Sequence, residues 1–390
     1  MTICSWGRLG LCVSVTLAVL NQASPGFSAD PVPRPIRTYV GTYTTGAGEG
    51  IYRFDFNPAT GSCSPPVLVA RCANPSFLAF NPTEDFLYAV NEVADDVPDA
   101  PGQKTGWVTA YQVDQSTGDL KKLNTQSSGG AIPCYVTIDS NSRNALVANY
   151  TGGSVACIPL HPDGSLSTRT NVIKHGRTDA ERKASRAHSI ILSPDERFAI
   201  AADAGIDHLM IYRFDAEAGK LIPHSPHLVS TGPGSAPRHV TFHPNGRWIV
   251  NNNEANFKIN AYDYNAEHAQ LTHRQTLSTL DEGTPPKGTT AEVLIHSGGE
   301  FAYVSNRGPD SLARYLIASD GKLTFEGTTP TQGKTPRNFR IDPTGHYLLA
   351  ANQDSSTIVV FRIDQGNGAL TPTGEIIQVP NPVCIKFATK

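Results

Sequence analysis

The sequence predicts an all-β fold, a seven-bladed β-propeller built from four-stranded antiparallel blades, and three observations carry that reading. A pair of aromatic or aliphatic residues flanking one other residue, then a turn, Gly and Leu, recurs seven times in 390 residues, at intervals of 46 to 59. Before most copies stand two runs of alternating apolar and polar residues joined by a tight turn. One such first half is missing, and its two strands are found at opposite ends of the chain. A period of about 50 without a helical apolar pattern indicates propeller blades, because a lone four-stranded sheet cannot bury both of its faces.

Taken in order, the chain enters the fold at Thr38-Tyr39-Val40-Gly41-Thr42-Tyr43, a strand without an opening partner, and continues to Tyr52-Arg53-Phe54. Residues 75–92 (PSFLAFNPTEDFLYAVNE) give two strands and a reversal, completed by Tyr111-Gln112-Val113. The unit repeats at 133–150 with Ile158-Pro159-Leu160, and at 187–203 with Tyr212-Arg213-Phe214. It returns at 237–254 (PRHVTFHPNGRWIVNNNE) with Tyr262-Asp263-Tyr264, and at 291–307 with Tyr315-Leu316-Ile317. The last copy is 336–353 (PRNFRIDPTGHYLLAANQ) with Phe361-Arg362-Ile363. Residues 382–387 (PVCIKF) read as the absent opening strand; pairing them with residues 38–43 closes the ring and removes two open sheet edges.

With 34 Gly and 29 Pro the composition suits a turn-rich domain, and the repeat makes residues 30–390 one ring rather than several domains. Residues 1–29 read as a signal peptide: Arg8, an apolar run over 9–20, then small residues to Ala29. The run of 12 is short against the ~20 residues needed to span a bilayer, so export is expected, with no membrane association once the signal is removed. A net charge of −3 without a Lys/Arg stripe argues against nucleic-acid binding. Cys63 and Cys72 are spaced to bridge in an oxidising compartment, whereas Cys134, Cys157 and Cys384 read as buried thiols in strands.

Inner strands of a propeller start, and second strands end, on one face of the disc, around the mouth of the central channel. Those tips carry His188, Arg238, His239, Glu292 and Arg337 on one side, and Asn149, Asn253, Glu254 and Arg307 on the other. Three arginines at one mouth repel unless a carboxylate or an anionic ligand is shared. Asparagines at strand ends also suit bonds to neighbouring backbone. Two long loops, 93–106 and 172–186, rise from the same face, the second bringing Lys174, Arg177, Arg182, Lys183 and Arg186. An oxygen-ligand metal site from Glu92, Asp203, Glu254, Glu292 and Asn149 is conceivable, but no spacing motif specifies one and no metal or cofactor is expected.

Over residues 38–387 the chain resembles the seven-bladed lactonase family of propeller-type 6-phosphogluconolactonases and carboxymuconate cyclases. The resemblance rests on Tyr39-Val40-Gly41-Thr42-Tyr43, Ala148-Asn149-Tyr150, Ala187-His188-Ser189, Pro237-Arg238-His239, Ser305-Asn306-Arg307-Gly308 and Pro336-Arg337. It departs from the family pattern at Tyr135, Arg186 and Leu294, where the family has His. The resemblance implies a lactone hydrolase with His188, Arg238, Glu254 and Arg307 as catalytic residues. Glu254 or His188 would be the base, Arg238 the oxyanion partner, and Arg307 or Arg337 the holder of a phosphate or carboxylate. His239, Asn149, Asn253, Glu292 and Arg182 are the further substrate contacts expected around a small anionic lactone. A muconate-type cyclase and a non-enzymatic ligand- or protein-binding propeller remain the alternatives. A monomer is expected, exported by its signal, or cytoplasmic if the family's usual role applies.

Overall fold

The computed structural model describes residues 1–4, 34–97, 100–176 and 178–390, so the proposed signal segment and Arg177 lie outside the described residues. Seven four-stranded antiparallel sheets follow one another. Blade 1 is assembled from both ends of the chain: Pro382–Ala388 is its innermost strand, paired with Ile36–Thr42, followed by Gly50–Phe56 and Val67–Arg71. Tyr39 lies opposite Lys386 and Val40 opposite Ile385, so the split repeat closes as its sequence predicts.

Two devices make each blade. In the reversal after the inner strand, the first side chain caps the next strand: Asn81 Oδ1 accepts from the Phe86 N–H at 2.9 Å and Asp342 Oδ1 from the Tyr347 N–H at 2.7 Å. In the later turn, a Gly carbonyl accepts from a buried Tyr hydroxyl of the preceding blade, as Tyr39 does to Gly118 (2.7 Å), Tyr88 to Gly164 (2.9 Å) and Tyr303 to Gly368 (2.7 Å). Gly368 sits at φ +70° with the Phe301 ring against it, so a β-carbon there would be strained and crowded. The recurring Gly of the sequence unit is therefore a contact between blades.

The core lies between blades, not within them. One apolar cluster joins Val40, Phe54, Phe56, Ile385 and Phe387 of blade 1 to Tyr347, Leu349 and Ile358 of blade 7. A second joins blades 1, 2 and 3 through Tyr39, Leu78, Leu87, Val108, Val136 and Ile158. These clusters explain why Cys63 and Cys72 are free: Cys63 packs into the blade 7 side of blade 1 and Cys72 into the blade 2 side.

The two long loops differ from expectation. Residues 93–97 and 100–106 extend the hairpin of blade 2, whose strands run Phe86–Val97 and Ala100–Val113. Within 172–186, Asn171–Lys174 is the outer strand of blade 3 and Asp179–Ala184 a short helix capped by Thr178, with no buried residue and hence no apolar period to read. No helix among the described residues is long and apolar enough to cross a membrane.

Deleting residues 382–390 would remove the inner strand of blade 1 and strip the Ile385 and Phe387 contacts with blade 7. We expect cooperative loss of structure, read as disappearance of the thermal transition by circular dichroism; an unchanged melting temperature would refute closure by this strand.

Candidate functional site

Three inner strands begin with Pro or Ala followed by two polar residues, Ala187-His188-Ser189, Pro237-Arg238-His239 and Pro336-Arg337-Asn338, which breaks the two-residue alternation of a regular strand. The ladder shows how this is accommodated. In blade 4 Ala187 lies opposite Asp203 and Ser189 opposite Ala202, leaving His188 as an extra residue. Arg337 is extra in the same way between the Pro336–Asn352 and Asn338–Ala351 pairs, as is Cys134 in blade 3. In blades 5 and 6 the register shifts across Arg238-His239 and Ala291-Glu292. Such bulges re-aim side chains, and here they let neighbours such as Arg238 and His239 both reach the channel.

Two layers of polar side chains result. In the outer layer, Arg307 Nη2 donates to Glu254 Oε1 at 2.5 Å and to the Thr290 carbonyl at 2.8 Å. The Tyr43 hydroxyl lies 2.9 Å from both Glu92 carboxylate oxygens, and the Arg337 guanidinium stands 5.1 Å from the Tyr43 ring centroid. His188 packs edge-on to Tyr150, with its Nδ1 3.8 Å from Cys134 Sγ. Arg238 Nη1 donates to the Ala291 carbonyl.

In the inner layer, His239 Nδ1 is 2.6 Å from Glu292 Oε1, and Asn338 Nδ2 donates to the other Glu292 oxygen. Asn338 Oδ1 accepts from the Ile385 N–H of the closing strand at 2.9 Å. Arg238 Nη1 lies 3.3 Å from His239 Nε2. A neutral His239 protonated at Nδ1 satisfies both ends, donating to Glu292 and accepting from Arg238. A chain thus runs from the closing strand through Asn338, Glu292 and His239 to Arg238.

Electrostatics fix the protonation states. Burial, reinforced by Arg238, holds His188 well below its ordinary 6.5; burial, against the pull of Glu292, brings His239 down to about 4. Burial pushes the Glu254 carboxyl up, but Arg238, Arg307 and Arg337 outweigh it and leave it below the ordinary range. Glu292 is also lowered, its burial offset by His239 and Arg238. Burial and repulsion from Arg337 and Arg307 bring Arg238 down to about 10. At neutral pH the mouth therefore presents ionised Glu254, neutral His188 and charged arginines. Burial raises Cys134 well above its ordinary range, which removes it as a thiolate nucleophile.

The Nε–H groups of Arg238 and Arg307 are buried without acceptors in the protein. The arginines differ in freedom. Arg307 is committed to Glu254 and Thr290, whereas Arg337 rests on Tyr43 without a hydrogen-bonded carboxylate. Among the described residues no three His, Cys, Asp or Glu side chains gather as metal ligands. Asp203 is bonded to His175 at 2.7 Å, and Glu92, Glu254 and Glu292 are engaged by Tyr43, Arg307 and His239.

Of the residues read from sequence, His188, Arg238, His239, Glu254, Glu292, Arg307 and Arg337 come together, with Glu292 at the step of His239. Arg182 does not join them: it lies on the exposed face of the short helix, 3.5 Å from Asp179. Asn149 is a tie between blades, donating to the Ser128 carbonyl at 3.1 Å and to Ser154 Oγ at 3.2 Å. Asn253 accepts from Asn251 at 2.7 Å while its own amide nitrogen is buried without an acceptor. Tyr43, Glu92 and Asn338 also stand at strand tips of this mouth by the sequence repeat, which gives them no substrate-binding or catalytic role. Their signal is register: Tyr43 and Glu92 hold the position that Glu254 and Arg307 hold in their blades, and Asn338 that of His239.

A family model described as "Lactonase, 7-bladed beta-propeller" matches residues 37–387. The chain belongs to this lactonase family. The chain is 34% identical to a 6-phosphogluconolactonase of Bacillus subtilis over 352 residues, covering 90% of this chain and 97% of that protein. A 6-phosphogluconolactonase of Formosa agariphila is 32% identical, with 85% and 94% covered. The solved structure of the Pseudomonas aeruginosa periplasmic gluconolactonase superposes with a TM-score of 0.84 at 31% identity, covering 92% of this chain and all of that one.

The lowered His239 makes a stability prediction with a definite sign. Unfolded, the ring takes up a proton near 6.5; folded, it resists protonation until about 4. The stability it contributes is thus present above 6.5 and lost as pH falls through 4, at most about 3 kcal/mol at ~1.36 kcal/mol per pH unit. Melting temperature should fall over this window, and less steeply in His239→Asn, which keeps a donor toward Glu292; an identical slope in the variant would contradict the assignment.

Proposed function

We propose that the mouth hydrolyses a sugar lactone to its aldonic acid, as a 6-phosphogluconolactonase-like enzyme. The carrying observation is an ionised Glu254 held among Arg238, Arg307 and Arg337, whose guanidinium groups bring N–H donors to one mouth. Such donors suit the charge that develops on a lactone carbonyl under attack. In this reading Glu254 takes a proton from water as the water oxygen bonds to the carbonyl carbon. Arg238, fixed by the Ala291 carbonyl and His239, faces the oxyanion. Collapse breaks the ring ester bond, and the leaving ring oxygen takes the proton from Glu254 to become a hydroxyl. Neutral His188 lies against the same space as a hydrogen-bonding partner of water or substrate.

Arg337, the arginine without a carboxylate bond, is the group for a phosphate or carboxylate at the far end of the substrate. The names of the relatives, 6-phosphogluconolactonase and periplasmic gluconolactonase, support an aldonolactone as the substrate class. Export by residues 1–29 is part of the proposal and places the reaction outside the cytoplasm.

Purified mature protein should hydrolyse phosphorylated or unphosphorylated gluconolactone with no change on adding chelator. Glu254→Gln should lower kcat by roughly two to four orders of magnitude while retaining binding. Arg337→Ala should raise KM for the phosphorylated lactone about ten-fold or more and leave the neutral one nearly unchanged. Binding of lactones or aldonates without hydrolysis of any would leave a ligand-binding propeller instead. For export, N-terminal sequencing of the protein from its native cell should begin between about residues 24 and 30; an intact Met1 would refute it.

A further inference from the structure

Past the layer of His239, Glu292 and Asn338 the inner strands run on through Leu192, Phe242, Arg340 and Lys386. A cavity of about 290 Å³ there is walled by the ends of the inner strands and contains Arg340 and Lys386. The two cations come from neighbouring inner strands, Pro336–Ile341 of blade 7 and Pro382–Ala388 of blade 1. Lys386 Nζ stands 4.5 Å from the centroid of the Phe77 ring, which stacks on Tyr135 at 4.0 Å.

Neither cation has a carboxylate of its own. Glu292 is the one acidic side chain lining the cavity, and its oxygens are already taken by His239, the Val293 N–H and Asn338. Burial, then repulsion from Arg340, brings the Lys386 ammonium down to about 8, and Glu292, already bonded elsewhere, offsets this only in part. Two cations that share one carboxylate already engaged by other donors, in a cavity beside an aromatic face, make a receptor for an anion.

We propose that this second cavity binds a small oxyanion, a carboxylate or phosphate, between Arg340 and Lys386, separately from the lactone site. Arg340 supplies the planar fork and Lys386 the point charge. At about 290 Å³ the cavity is at the low end for ligand sites, which suits inorganic phosphate or a short organic acid and excludes a polymer. Glu292 lines this cavity and also holds His239 in the layer above, so an anion seated here lies one side chain from the chain that positions Arg238. The inference does not depend on the proposed hydrolysis.

The test is calorimetric titration at low ionic strength and pH 7 with inorganic phosphate and, separately, gluconate. It is run on the unmodified protein, on Arg337→Ala to weaken the outer mouth, and on the double variant Arg340→Gln/Lys386→Met. Binding of at least one probe should survive in Arg337→Ala and weaken at least ten-fold in the double variant; the probe that binds more tightly identifies the anion class. Equal binding in the unmodified protein and the double variant overturns the proposal. Should the double variant fail to fold, reductive ¹³C-methylation of the unmodified protein gives an independent readout. The dimethyl-Lys386 resonance, assigned by its loss in Lys386→Arg, should titrate near pH 8 and move to higher pH with saturating phosphate or gluconate. A midpoint unmoved by both anions overturns the proposal equally.

Discussion

The arrangement of the mouth depends on the pairing of the last strand with the first. Pro382–Ala388 is the inner strand of a blade whose other three strands come from residues 36–71, so closing the ring and completing a wall of the channel are one event. The Ile385 N–H holds Asn338, Asn338 holds Glu292, Glu292 holds His239, and His239 accepts from Arg238. A backbone bond made for closure thereby sets the aim of a guanidinium in another blade. Loosening the ring would disturb the site even where no site residue is touched.

Burying three arginines around one cavity is costly, and the structure offsets the cost unevenly. Arg307 is compensated by Glu254 and a carbonyl, and Arg238 by a carbonyl and a neutral imidazole. Arg337 is surrounded by Tyr43, Glu92 and Glu254 at longer range. Burial raises the charged form's free energy, and the remaining unpaired Nε–H groups keep part of that cost in place. A ligand that brings negative charge would relieve it.

The blades were legible because each repeats two local patterns, alternation over the inner pair and the later Gly turn, and the missing half-unit announced the closure. The cluster was legible too, since strand direction alone puts His188, Arg238, Glu254, Arg307 and Arg337 at one mouth. The depth of each side chain was not. A bulge is a backbone event of one residue, and only the ladder shows that Glu292 takes the step of His239 rather than that of Arg238. The Asp179–Ala184 helix buries nothing, so it left no period, and Arg182 was assigned by charge and loop length where its neighbour Asp179 decides its contact. Proximity in sequence suggested a Cys63–Cys72 bridge that the intervening sheet makes unfavourable, with the two thiols facing different blades.

The bulged inner strands have a consequence for how such a protein can change. In an unbroken strand, a substitution at one of two neighbouring residues would alter the contacts between blades, and recognition and packing would be bound together. The extra residue frees a position in the ladder: His188, Cys134 and Arg337 occupy equivalent steps in three blades, with imidazole, thiol and guanidinium presented by the same backbone. In these three blades the bulge works as a slot whose side chain differs while the paired residues on either side keep their register. New specificities can arise on this scaffold one slot at a time, while the ring that holds the slots stays the same.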